Sequence, residues 1–450
     1  LTNGESSNAS PANGGSENIR PLERESYFFG PEVVEDIQAK AELGRYRIRG
    51  FGTLRKLPSF DDLTFITSGM SRVPLEGYRE KCSTETVLGA RNASEPIKLE
   101  TPVYIAGMSY GALSATAKVA LGTAATRMGT MTVTGDGGML AAERAASSLL
   151  MYQVLPSRYG FRPDDLRSAD ALEIVLGQGA KPGTGGLLLG MKVSDTIAGQ
   201  RDLPPGVDQR SPVRHPDWMG ADDLMIKMEE LREVTDGKVP LFLKLGAGRV
   251  TADVKLAAKV GADVIVIDGM EGGTGASPEL QLDHTGIPTM PATAEAVRAL
   301  QELGLEDEVD LVVSGGLTNG ADMAKALALG AKAVCIGTAA LIALNCNKAI
   351  YNEDYAALGT RAGACHHCHT GMCPVGITTQ DPKLEARLDP EEAADQVFNY
   401  LNALTLEIQL LARACGKRDI HDLEPEDLRA LSVDASAMSG IPLVGTNKVY

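Results

Sequence analysis

Three cysteines and three histidines fall within nine residues of the segment "CHHCHTGMCPVG": Cys365, His366, His367, Cys368, His369 and Cys373. Thiolates at this spacing could hold zinc, cycle as a redox dithiol or carry an iron–sulfur cluster. Only one CxxC is present, Cys365 to Cys368, so the paired knuckles of a structural zinc site are missing from the sequence. A proline directly after the last cysteine, as in "CPVG", occurs in iron–sulfur segments. The spacing favours iron–sulfur and leaves zinc and a dithiol open.

Other candidate chemistry lies in loops that follow apolar runs. Ser314-Gly315-Gly316 follows one run and Gly337-Thr338 the next, each leading into a helical pattern. Glycines let backbone N–H groups approach an anion closely, and helix N-termini favour negative charge, so the pair is a candidate phosphate site. The plainer alternative is two tight turns. Lys244 ends "LFLKLG", where a cation would suit the reduced ring of a flavin, or would simply pair with Asp268. "DGMEGGTGASP" (268–278) has the glycine content of a loop lying against a ligand. "GQGAKPGTGG" (177–186) supplies Lys181, and Arg201 follows it. Two such cations could clamp a dicarboxylate, the arginine in bidentate fashion, or could both be solvated. His215 reads as a structural histidine, and Cys82, Cys335 and Cys415 as buried small hydrophobes.

The elements that must position these residues are short and regular. "PVYIAGM", "TMTVTG", "ALEIVLG", "VPLFLKLG", "ADVIVIDG", "VDLVVSGG" and "KAVCIGT" are nearly continuously apolar, as parallel strands covered on both faces should be. Helical patterns such as "GALSATAKVALGTAATRMG", "ADVKLAAKVG", "TAEAVRALQELG" and "GADMAKALALG" lie between several of them. The alternation predicts an α/β fold, a (β/α)8 TIM barrel with its glycine loops at the carboxyl ends of the strands. Four regions are expected: a disordered arm (1–20), an N-terminal preamble packed on the barrel (21–99), the barrel (100–382) and a C-terminal helical extension (383–450). In the extension, "PEEAADQVFNYLNALTLEIQLLARACG" reads as a long amphipathic helix ending at Gly416, and "DLEPEDLRAL" as a further helix.

Composition narrows the function class. A net charge of -16 argues against a nucleic-acid binder, which needs a basic face. No apolar run approaches the roughly 20 residues of a membrane span. Seven cysteines clustered late in a long chain do not form a secreted disulfide framework, and a cytoplasmic location is expected.

Taken in order, "AGMSYGALS", "TGDGG", "GQGAKPGTGG", "DGMEGGTGASP", "SGGLTNGADMAKALALGA", "GTAALIAL" and "CHTGMCPVGITTQ" resemble the FMN-binding synthase domain of the glutamate synthase family over roughly residues 100–382. The resemblance implies an FMN site at Gly107, Met108, Ser109, Gln153, Lys244, Gly273, Gly315, Gly316, Gly337 and Thr338. It assigns Lys181 and Arg201 to the carboxylates of a 2-oxo acid. It makes Cys346, Cys368 and Cys373 ligands of a 3Fe–4S cluster, with Cys365 as an alternative first ligand or a fourth one for 4Fe–4S. This chain departs from the family pattern in inserting "NKAIYNEDYAALGTRAGACHH" between Cys346 and Cys368. Met139 also stands where the family motif has a carboxylate, and Thr184 and Leu187 replace polar groups.

Within the family the chain looks most like the synthase-type subunit of N-methylglutamate synthase. The expected reaction is therefore formation of N-methylglutamate from methylamine and glutamate through 2-oxoglutarate and imine chemistry on the flavin. The expected setting is a hetero-oligomer in which amidotransferase-like and other subunits are separate chains. The alternatives are a glutamate synthase using ammonia and external electrons, and a non-catalytic or electron-transfer scaffold.

Overall fold

In the computed structural model, residues 26–450 are described, apart from Ser68 and Tyr78; the expected arm over 1–20 lies outside the described residues. The apolar runs become eight parallel strands: β1 (Val103–Ile105), β2 (Thr132–Val133), β3 (Leu150–Val154), β4 (Ala171–Val175), β5 (Leu241–Gly246), β6 (Val264–Asp268), β7 (Asp310–Ser314) and β8 (Ala333–Ile336). Each strand from β2 to β8 pairs in parallel with its neighbour in chain order, and β8 pairs with β1. The join between β1 and β2 is the loosest. There Ile105 N–H donates to Met131 O at 3.1 Å. Buried Lys118 spans the same gap, donating to Met108 O (2.6 Å), Thr134 O (2.9 Å) and Val133 O (3.3 Å), with Glu143 Oε1 at 2.5 Å. The expected (β/α)8 barrel is the fold.

One strand, β3, was not among the predicted runs. Every predicted run has a glycine as its last or next-to-last residue, whereas β3 runs into Leu155-Pro156 and carries Gln153 near its end.

The two-residue period of the strands sorts their side chains. Ile105, Tyr152, Ile174, Leu243, Ile265, Val313 and Val334 face the helices, in the core between sheet and helices. Tyr104, Met151, Ala171, Phe242, Val264, Val312 and Ala333 form a second, interior core together with Leu88, Ile97 and Leu99. Those last three belong to the hairpin Thr86–Leu88/Ile97–Leu99, which is tied to the amino ends of the strands by Gly89 N–H to Asp310 Oδ2 (2.7 Å) and Asn92 to Asp263 (2.7 Å). On the same inward face, further toward the carboxyl ends, the residues turn polar: Gln153, Glu173, Lys244, Asp268 and Ser314.

The helix Pro390–Ala414 begins at Asp389, whose carboxylate accepts the N–H groups of Glu391 and Glu392. It lies against the helices Ala115–Met128 and Gly320–Ala328: Arg127 pairs with Asp395, and Gly320 N–H donates to Glu407 Oε2 at 2.6 Å. That is the place of a barrel's eighth outer helix. The helix predicted over "DLEPEDLRAL" does not form. Its residues make 3-10 turns at Ile420–Asp422 and Pro425–Asp427 and then the strand Leu428–Ala430, which pairs antiparallel with Leu63–Phe65. The reason is that Asp427 is committed to Arg72 (2.7 Å) and Lys417 (3.3 Å), while the backbone beyond it bonds across the strand pair.

The described residues divide into two units, 26–47 and 48–450. In the first, the helix Pro31–Leu43 starts with proline in its first turn, ends at Gly44 in the left-handed region (φ 64) and carries an Asp36–Lys40 pair.

Candidate active site

A cavity of about 780 Å³ opens at the carboxyl ends of the strands, within the range of ligand sites for small molecules and cofactors. Gly107, Met108, Ser109, Gln153, Lys244, Gly273, Gly315, Gly316, Gly337 and Thr338 all line it. So do Lys181 and Arg201, and Cys346, Cys365, Cys368 and Cys373. The structure thus gathers every candidate residue of the sequence around one space.

Its floor is the polar layer. Gln153 Nε2 donates to Glu173 Oε2, Lys244 Nζ stands 3.7 Å from Asp268 Oδ2, and Asp268 accepts from Ser314 Oγ (2.5 Å) and Gly179 N–H (2.9 Å). Lys244 therefore both faces the cavity and has a carboxylate partner. Burial alone would lower its pKa, but Asp268, the Cys335 thiol and Glu173 hold it above the ordinary lysine range.

On one side of the cavity, Gly315 (φ 111) and Gly316 (φ 70) turn through the region that only glycine enters cheaply. A Cβ on Gly316 would also come within 2.6 Å of Glu271 Cβ. The helix Gly320–Ala328 that follows is already capped: Asn319 accepts from Asp322 N–H, and Glu407 takes the Gly320 N–H. Its N-terminus is therefore not the anion site the sequence suggested. The glycine turn itself and the segment Gly337-Thr338, which has no side-chain cap, remain to face an anion.

Lys181 is buried with no carboxylate in salt-bridge reach among the described residues, and burial pushes its pKa down to about 8 despite the influence of Asp136. Arg201 is placed differently from the expected clamp. Its Nη2 donates to Tyr110 O (2.8 Å) and Asp136 O (3.1 Å), and its Nη1 to Gln209 Oε1 (3.1 Å), so a bidentate carboxylate grip is closed off; only buried Nε lacks a partner. Lys181 is the free cation of the site, and Arg201 holds the wall. Met139 is buried away from the cavity, beneath Ser168, whereas Thr184 and Leu187 do line it. His215 is structural, as the sequence suggested: it bonds Val175 O at 2.8 Å and stacks on Trp218 at 3.8 Å.

The four thiols line another part of the same cavity. The insertion after Cys346 makes an excursion through the helix Asn352–Ala357 and returns. Asn347 closes it, donating from Nδ2 to Cys346 Sγ (3.5 Å) and accepting Cys365 N–H at Oδ1 (2.9 Å). Burial raises the pKa of Cys346, and Cys368, Cys373 and Cys365 raise it further, so the four lie within electrostatic reach of one another. All seven cysteines are free, and among the described residues no three His, Cys, Asp or Glu side chains converge as ligands of one ion.

Sequence reasoning missed two buried residues here. Lys192 donates to Ala112 O (2.7 Å) and Cys368 O (3.1 Å); nothing in "LLGMKVSD" marks it, because its place comes from the fold. Glu173 could have been found, since it is the one charge in the apolar run "ALEIVLG". A third element is the strand Ile48–Phe51. It pairs with Thr274–Pro278, and its Gly50 N–H donates to His366 O at 3.0 Å. Phe51 lines the cavity with φ 78, a conformation unfavourable for an aromatic residue. Neighbouring Arg49 anchors the strap on Asp283 (3.2 Å) and Glu279 (3.5 Å).

Fold and cavity define a (β/α)8 barrel with a large cavity at the carboxyl ends of its strands. Among solved structures it is similar to a double mutant of flavocytochrome b2 with sulfite bound (TM-score 0.52, 18% identity, 87% of this chain and 80% of that one). It is also similar to a lactate oxidase of Pediococcus acidilactici (TM-score 0.52, 14% identity, 83% and 84%). The family model described as a conserved region in glutamate synthase matches residues 59–418. A "glutamate synthase large subunit-like protein" of Rhizobium meliloti (strain 1021) is 56% identical over 424 residues, 94% of this chain and 96% of its own length. The archaeal glutamate synthase [NADPH] of Methanocaldococcus jannaschii is 36% identical over 415 residues, covering 86% and 78%. The chain belongs to the glutamate synthase family.

The placement of Lys181 sets a pH dependence. It is charged below about pH 8 and neutral above, so binding of a dicarboxylate should be full below that value and fall by up to about tenfold per pH unit above it. Lys181→Met should weaken binding of a dicarboxylate about 10- to 100-fold, the scale of a charge-assisted hydrogen bond, and should abolish that alkaline limb. Steady-state kinetics across pH 6–10 check both.

Proposed function

We propose that the chain is the FMN-dependent synthase of a glutamate synthase, converting 2-oxoglutarate, ammonia and two externally supplied reducing equivalents into glutamate and water. The observation that carries this is the shared cavity, with a cofactor floor at Gln153 and Lys244, glycine turns for a phosphate, and one unpaired buried cation at Lys181. FMN fits: the volume suits it, the glycine turn leaves no room for a side chain at Gly316, and the floor offers a charged lysine. Bound FMN would supply the hydride that reduces the imine of 2-oxoglutarate.

The chain's own groups bind and orient. Lys181 holds a substrate carboxylate, and Arg201 keeps the loops of Tyr110 and Asp136 in place around it. Phe51 and its strap roof the site and restrict water. The names of the relatives favour this reading over N-methylglutamate synthesis. Met139, which stood in the sequence as a departure on the substrate side, lies outside the cavity. A non-catalytic scaffold would have no use for a buried cation facing the cavity without a carboxylate partner, as Lys181 does. Within this reading ammonia comes from amidotransferase-like subunits on separate chains, and electrons from a donor such as the NADPH in the names of the relatives.

Anaerobic absorbance spectroscopy of the flavin-loaded protein separates the amines. Flavin reduced by an external donor should be reoxidised by 2-oxoglutarate with ammonia. Glutamate or N-methylglutamate alone should bleach it little. Rapid bleaching by N-methylglutamate, reversed by 2-oxoglutarate with methylamine, would instead restore the methylamine reading.

We also propose that Cys346, Cys368 and Cys373 hold a 3Fe–4S cluster, which would serve as a one-electron carrier. Lys192 would offset its charge from 3.1 Å behind Cys368 O. Anaerobically purified protein should hold about three irons per chain, Cys365→Ser should keep them, and Cys346→Ser should lose them. About four irons, falling in Cys365→Ser, would mean that all four cysteines ligate.

A further inference from the structure

We infer that Glu173 is a positioning residue that sets the orientation of the Gln153 amide, so that the amide oxygen Oε1 faces the cavity as the acceptor for the N3–H of a bound flavin. The inference rests on the FMN reading above.

The two residues are cross-strand partners, Gln153 on β3 opposite Glu173 on β4, and both point inward. They are 4% and 2% exposed. A side-chain amide has a donor end and an acceptor end that differ little in shape, so packing alone orients it poorly. A carboxylate only accepts. With Glu173 ionised, Nε2 must face it, as the Nε2 to Oε2 hydrogen bond shows. The reverse orientation would set one oxygen against another. On balance burial raises the pKa of Glu173; the Lys244 ammonium in the same layer and the hydrogen bond from Gln153 act against that rise and favour the ionised form.

Gly107 completes the arrangement. A Cβ there would lie 2.6 Å from Gln153 Cδ and Nε2 and 2.7 Å from Oε1, so the Gly107 backbone lies flat against the amide and limits its rotation. No described residue donates to Oε1, which leaves it for a ligand. The pyrimidine edge of an isoalloxazine presents acceptor, donor, acceptor in the order C2=O, N3–H, C4=O. Its single donor needs an acceptor, which an amide fixed by Glu173 provides and one turned the other way does not. Glu173 thereby acts on the cofactor without touching it.

The test is a double-mutant cycle on the full chain, read as the FMN dissociation constant of the apoprotein by flavin fluorescence. Glutamine is isosteric with glutamate but adds a donor end beside its acceptor, so Glu173→Gln keeps the packing and removes the accept-only constraint that holds the Gln153 amide in one orientation; the apoprotein's urea midpoint serves as the fold control. Glu173→Gln should weaken FMN binding about tenfold, and Gln153→Leu, which leaves Glu173 intact, by a similar factor. The double variant should bind no more weakly than Gln153→Leu alone. Wild-type affinity in Glu173→Gln would overturn the inference. So would losses that multiply in the double variant, because Glu173 would then act through the charge of the layer. If wild-type apoprotein takes up no FMN, the FMN reading falls and this inference with it; either of the first two results overturns the inference alone.

Discussion

The structure depends on a buried layer of charge inside the barrel. Lys244, Glu173 and Asp268 leave water together at the carboxyl end of an otherwise apolar interior, and each buried ion costs several kcal/mol unless it is paired and hydrogen-bonded. The layer meets that cost by register. Asp268 stands beside Ser314 across the β6–β7 pair, and Gln153 beside Glu173 across β3–β4. A one-residue slip in any of these strands would turn the polar group into the helix-facing core and leave its partner bare. The same groups that fix the register make the floor of the cavity, so fold specificity and cofactor recognition rest on one set of contacts.

Above that floor, three devices tie the loops of the site together. The strap Ile48–Phe51 pairs with Thr274–Pro278 next to the glycine turns and bonds His366 O beside the thiols. Lys192 ties the carbonyl of Cys368 to that of Ala112. Asn347 draws Cys346 and Cys365 together across an inserted segment. The strap holds Phe51 in the left-handed region at a cost of order 1–3 kcal/mol, sustained by Arg49 and its carboxylates, which marks the roof as a place where position matters more than local comfort.

Much of this was legible in the sequence, and the reasons differ from residue to residue. Strands that end in glycine announced themselves, because the apolar run and the turn that follows are both local. β3 did not, since Leu155-Pro156 closes it and Gln153 interrupts it. The long helix Pro390–Ala414 was plain from its period and its Asp389-Pro390 start, but its place as the eighth outer helix is a tertiary fact. "DLEPEDLRAL" has helical composition, and its ion pairs with Arg72 and Lys417 override that preference. At the site, ordered motifs pointed to residues that the fold places around one cavity. Which N–H groups of Arg201 are already taken, and that the Lys181 ammonium has no carboxylate partner among the described residues, depends on loops far apart in the chain. The Cys346 insertion looked in the sequence like a disruption, and folding returns it to the other thiols.

The most direct test is a titration of the apoprotein with FMN and, separately, with riboflavin, which lacks the phosphate. The account expects one FMN per chain, quenched on binding, and riboflavin held at least about 100-fold more weakly because the Gly315–Gly316 turn and Thr338 lose their anion. Failure to take up FMN, or equal affinity for the two, would contradict it.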